Sequence, residues 1–134
     1  MFKTYLSSLD CLDEEQIYVG KFLAESGYQL MKEAISESEI LPEAFFIASD
    51  SMAVGALKAL QEHGIKVPEV VQIIGFNDIP TSNYTIPPLT TLRVHKEFMG
   101  ETSIKLLLER LEDQGLISKK KIVPTELVIR ESSK

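Results

Sequence analysis

The sequence has one cysteine, two histidines and no tryptophan. Cys11 alone can close no internal disulfide and build no cysteine-based metal site. It reads as a free thiol in a reducing compartment. His63 and His95 have no Glu or Cys at metal-ligand spacing, so no metal is expected. Long apolar runs are missing as well. Ala44–Ala48, among the longest, is far too short to span a bilayer. The opening residues Met1 to Tyr5 lack the apolar core of a secretory signal. A cytoplasmic protein without membrane contact is the expectation. No G-x-S-x-G elbow, P-loop or G-x-G-x-x-G occurs, so neither an enzyme nor a cofactor is indicated. Positive charge is also in deficit: 14 Lys and Arg stand against 20 Asp and Glu, a net charge of −6. Duplex DNA needs concentrated Lys and Arg, so this surface should not bind it. The one basic cluster, Lys119-Lys120-Lys121, lies between a helix and a strand and reads as a solvated turn.

What is present fits one globular unit: 134 residues, 44% hydrophobic and 25% charged. Strand-like and helix-like segments alternate. Phe2–Leu9 reads as the end of a helix, Asp10–Gln16 as polar linker and Ile17–Val19 as a short strand. Glu25–Ser36 should be a helix with Ala24, Tyr28, Met31 and Ile35 on one face. Ala44–Ala48 reads as a strand, and Ser51–His63 as a helix with Ala53, Ala56, Leu57 and Leu60 together. Asp50 is placed to cap that helix and Gly64 to end it. Val70–Gly75 is the next strand, and Leu89–Val94 is extended after a Pro-rich stretch. Glu97–Glu112 should be a helix striped by Ile104, Leu107, Leu108 and Leu111. Ile122–Val123 and Glu126–Ile129 are strand-like. Strands apolar throughout are usually buried on both faces. The order therefore predicts an α/β fold with a doubly wound parallel sheet.

Ligands of open α/β sheets bind beyond the carboxyl ends of the strands. Phe22, Ser49 with Asp50, and Asn77 with Asp78 follow three such ends. A ring, a hydroxyl, an amide and carboxylates suit a sugar or a nucleobase. Each has a plainer reading. Phe22 can cover the end of the core, Asp50 can cap its helix, and Asn77 and Asp78 can set a turn.

Several motifs in order resemble the LacI/GalR family of transcription regulators. Phe46–Leu57 resembles a strand followed by D-x-M-A-x-G-A. Gly64–Pro68 resembles G-x-x-V-P, and Gly75-Phe76-Asn77-Asp78 resembles G-F/Y-D-D. Pro87–Thr91 matches P-x-L-T-T, and Leu127–Ser132 matches L-x-x-R-x-S. Gly20-Lys21-Phe22, Ser26-Gly27-Tyr28 and Gly100 agree too.

The resemblance implies a periplasmic-binding-protein-like α/β fold in a truncated form. Residues 1–88 would be the C-terminal core subdomain lacking its first strand. Residues 89–121 would be a crossing strand and a helix of the N-terminal core subdomain, and 122–134 a return segment. The helix Glu97–Glu112 would then lack most of its apolar partner. The resemblance also implies effector contacts at Phe22, Ser49, Asp50 and Asn77. Asn77 departs from the family, where an acid is usual, and Val70 stands where Asp is usual. It implies a homodimer through Met52, Val54, Leu57, Tyr84 and Ile86. The function implied is effector binding and dimerisation in a sugar-responsive repressor that meets operator DNA through another domain. The Asn77-Asp78-Ile79-Pro80 loop resembles that of regulators of galactose or β-galactoside use. A sugar-binding protein of a transport system shares the fold and is the alternative.

Overall fold

The apolar spacing of 51–63 becomes helix α3 (Asp50–Glu62), with Ala53, Ala56, Leu57 and Leu60 all buried. Its end shows why Gly64 is there. The N–H of Gly64 donates to the Gln61 carbonyl and that of Ile65 to the Leu60 carbonyl. This double closure needs a left-handed residue, and Gly64 has φ 69°. Ile65 then folds back on the core beside Leu60.

The computed structural model describes residues 2–10, 14–112 and 117–134. Cys11 lies outside the described residues. Helix α1 spans Phe2–Ser8, a 3₁₀ turn Glu14–Gln16, and α2 Ala24–Glu37. Four strands form one sheet in the order β1 (Ala44–Phe46), β2 (Gln72–Asn77), β3 (Thr90–Arg93), β4 (Glu126–Val128). The pairs β1–β2 and β2–β3 are parallel, while β4 runs antiparallel to β3. The fold is thus α/β with a mostly parallel, mixed sheet.

Helices α2 and α3 approach unusually closely, because each offers a glycine to the other's backbone. A Cβ on Gly27 would strike the Met52 carbonyl, and one on Gly55 the Ala24 carbonyl. The buried line of α2 is Gly27, Met31 and Ala34. The expected stripe through Ala24 and Ile35 is rotated by about one residue, since the glycine faces the neighbour.

Three strand expectations are corrected. Ile17–Val19 pairs with no strand. Ile17 and Tyr18 instead line an apolar cleft of about 300 Å³ together with Phe45 to Ala48. Ile122–Val123 is irregular, and only Glu126–Val128 reaches the register of β3. Val70 is outside β2, because its N–H donates to the Lys66 carbonyl and closes a turn. Burial is also one-sided. Val71 and Ile73 face the helices and are buried, whereas Phe46 is exposed and meets Phe76 edge-on at 6.4 Å.

Helix α4 (Lys96–Glu112) stands off the sheet. Thr102 is its one buried residue, and Ile104, Leu107, Leu108 and Leu111 are all exposed. No described helix is long and apolar enough to cross a membrane.

Candidate functional site

The parallel register fixes which residues share an edge. Phe46 pairs with Ile74 at the end of β1, and Ser49 follows three residues later, while Asn77 closes β2. Asn77 in turn pairs with Arg93. Ser49 occupies the N-cap position of α3 and is buried. The first turn of α2 packs on the first turns of α3 through Gly27 and Gly55, which puts Phe22 at the same end. Phe22 is 67% exposed. The side-chain amide of Asn77 bonds to no described residue. Asn77 and Asp78 both have left-handed backbones, φ 110° and 51°, a conformation that Asn and Asp adopt more readily than most residues.

Asp50 is corrected in two respects. It is 0% exposed, and it is not a cap: Ser49 holds that position and no side chain closes it. The Asp50 carboxylate turns across to the sheet. Oδ1 accepts from the Thr91 hydroxyl at 2.6 Å, and Oδ2 from the Ile79 N–H and the Ser82 hydroxyl, both at 2.9 Å. A buried carboxylate survives only with such donors. Asp50 thus ties the start of α3 to β3 and to the loop after β2.

Asp78 is the other braced acid. Its Oδ1 accepts from Arg130 Nη2 and its Oδ2 from Arg93 Nε, both at 2.7 Å. Arg130 also donates to the Leu89 carbonyl at 2.7 Å, and Arg93 to Glu126 at 3.0 Å. Burial is the largest single influence on the Asp78 carboxyl and would raise it. The bonds and charges of Arg130 and Arg93 together outweigh burial and hold it below the usual carboxylate range. Arg93 is raised in return, first by its bond to Asp78.

Sequence reasoning assigned no role to Thr91, Ser82, Arg93, Arg130 or Ser132. Ser132 is fully buried: its hydroxyl accepts from the Thr90 N–H at 2.8 Å and donates to the Ile73 carbonyl at 2.6 Å. The family-like stretches around Thr91 and Arg130 were the available signal.

The expected interface residues divide. Met52 is 8% and Leu57 5% exposed within the chain's own core. Both pack inside the chain itself, Leu57 in the core and Met52 against Gly27 of α2. Val54 is half-buried. Tyr84 and Ile86 are 84% and 81% exposed.

Residues 2–133 match the family model of the periplasmic binding protein-like domain. The transcriptional repressor MelR of Bacillus subtilis is 49% identical over 118 residues, covering 88% of this chain and 34% of that protein. The lactose operon repressor of Rhizobium radiobacter is 40% identical over 110 residues, 82% of this chain and 96% of that protein. The solved complex of the transcriptional regulator CelR with cellobiose superposes with a TM-score of 0.89 at 30% identity, over 98% of this chain and 40% of that one. The chain thus spans about a third of the length of MelR. These relatives are regulators, not enzymes, and they favour the regulator over the transport protein. The chain belongs to the LacI/GalR family of transcription regulators, within its periplasmic-binding-protein-like part.

Proposed function

We propose that this chain is the effector-binding and dimerisation part of a cytoplasmic, sugar-responsive repressor. The observation that carries the reading is Asn77 at the end of β2 with its side-chain amide uncommitted, with Ser49 at the start of α3 and the exposed Phe22 just ahead of α2. A ring stacks on the apolar face of a sugar, and an amide both donates to and accepts from its hydroxyls. The effector contacts are Phe22, Ser49 and Asn77, with Asp50 as their support. Galactose or a β-galactoside is the effector class, in line with the Asn77-Asp78-Ile79-Pro80 loop. Tyr84, Ile86 and Val54 face the second subunit. Operator DNA is met by parts of the regulator outside this acidic chain. The effector acts by shifting the population of two arrangements of the crossing segments, here 89–94 and 122–128, which resets operator affinity.

The test is calorimetry on the full-length regulator with galactose, lactose and cellobiose, wild type beside Phe22→Ala and Asn77→Ala. Binding of one sugar that both substitutions weaken by about tenfold or more, the loss of roughly 1.4 kcal/mol, supports the reading. Binding that neither substitution changes places the effector elsewhere.

A further inference from the structure

Asn77 and Asp78 are adjacent, yet their side chains are committed differently. The Asn77 amide bonds to no described residue. Both Asp78 oxygens are taken, one by Arg130 and one by Arg93. Arg93 ends β3, the strand that leads into α4. Arg130 follows β4, the strand by which the chain returns. Arg93 also reaches across to Glu126 at the start of β4, and Arg130 to the Leu89 carbonyl just ahead of β3. The Asp78 N–H leans on the Thr91 hydroxyl at 3.4 Å, and that hydroxyl donates to Asp50. One carboxylate thus gathers both connections to α4, a helix that otherwise stands clear of the sheet.

We propose that Asp78 is a positioning residue that couples the rim at Asn77 to the outgoing strand β3 and the returning strand β4 through its clasp with Arg93 and Arg130. This rests on the reading that an effector sits against Asn77, and it adds a division of labour. Asn77 sets how tightly the effector binds, and Asp78 sets how far its arrival is felt along β3 and β4. Asp78 follows Asn77 directly, so a backbone shift at Asn77 acts on the carboxylate that Arg130 and Arg93 hold. Arg130 and Asp78 are both nearly buried, so the pull is little screened by solvent.

The test is hydrogen exchange on the full-length regulator, read at the amides of Leu92, Arg93, Leu127 and Val128, with and without whichever of galactose, lactose and cellobiose binds. Asp78→Asn keeps the shape and removes the charge. Arg93→Gln changes a half-exposed position and keeps the rest of the fold. Both variants should bind sugar within about threefold of wild type while losing a sugar-induced slowing of about fivefold or more, the span of ordinary coupling energies. If either variant loses affinity as steeply as Asn77→Ala, Asp78 merely supports the rim and the proposal falls. Slowing that persists at wild-type size in both variants also overturns it. Should Asp78→Asn fail to fold by circular dichroism, Arg93→Gln decides alone. Should no sugar bind the wild type, the effector reading fails on its own account, and the clasp is judged without ligand. Arg93→Gln must then speed exchange at the Asp78 and Ile79 amides and at β3 and β4 together, by about tenfold. Acceleration at one end alone would sink the idea.

Discussion

The Asp50 carboxylate lies where the side chain of residue 75 would be. A Cβ on Gly75 would fall on Oδ1 of Asp50, the oxygen that accepts from Thr91. The strand β2 can pass the start of α3 only because residue 75 has no side chain. Gly75→Ala should cost about 1–3 kcal/mol, the range for overpacking a tight site. Asp50→Asn should cost about 3 kcal/mol, since its amide nitrogen would meet donors it cannot satisfy. In an Asp50→Ala background the Gly75→Ala change should cost far less, because the clash is gone. Urea unfolding of the four proteins closes the cycle. Additive losses would show that the two residues do not share this space.

The glycines of the helices make opposite predictions. Gly27→Ala and Gly55→Ala each push a methyl into a facing backbone carbonyl, which no side-chain rotation relieves. Each should lose about 3 kcal/mol. Gly100 sits in α4 with nothing near its missing Cβ. Gly100→Ala should gain about 0.5–1 kcal/mol from helix propensity alone. Thermal melts of the three variants check the sign and the order.

Periodicity made the helices legible, because α2, α3 and α4 each bury or display a stripe written in local sequence. Strand ends were legible only roughly: β1 stops at Phe46, short of the expected Ala48, and β2 runs on to Asn77, past the expected Gly75. The braces behind them were not legible. Asp50 and Thr91 are 41 residues apart, and Asp78 and Arg130 are 52 apart. No local spacing links such pairs. Asp50 shows the cost of this: as a helix-start acid it looked like a cap, and only the sheet reveals the three donors it serves. Ile17–Val19 fails for a related reason. Its residues are strand-like, but a strand also needs a hydrogen-bonded partner within about 5 Å, and Ile17–Val19 joins no described strand.

Acid should undo the clasp. The folded-state carboxyl of Asp78 titrates below its unfolded value. Its contribution is therefore present above the unfolded pKa and is lost as pH falls through the folded one. Near neutral pH, Asp78→Asn should be about 2 kcal/mol less stable than wild type, the scale of a charge-assisted bond in a nearly buried site. The gap should narrow as pH falls below about 4 and vanish once the wild-type acid is protonated. Melting temperatures of both proteins across that range decide it. A gap that stays constant into strong acid would mean that the asparagine disturbs packing and that charge is not involved.

The exposed pair before the Pro-Pro turn gives the sharpest test of assembly. Tyr84 and Ile86 together offer large apolar surface to solvent, while Met52 and Leu57 are spent on the core. An interface that uses the first pair should respond to Tyr84→Asp and Ile86→Asp without loss of fold, because neither side chain supports the core. Leu57→Ala should do the reverse. It should lower stability by about 2–5 kcal/mol, the cost of truncating a buried leucine, and disturb assembly only as the fold fails. Sedimentation of the full-length regulator reads the first effect, and urea unfolding the second. Each aspartate should weaken self-association by about 2 kcal/mol or more, near thirtyfold, if its residue is a buried anchor between subunits. If both aspartate variants sediment as the wild type does at every concentration, the second subunit lies against another surface.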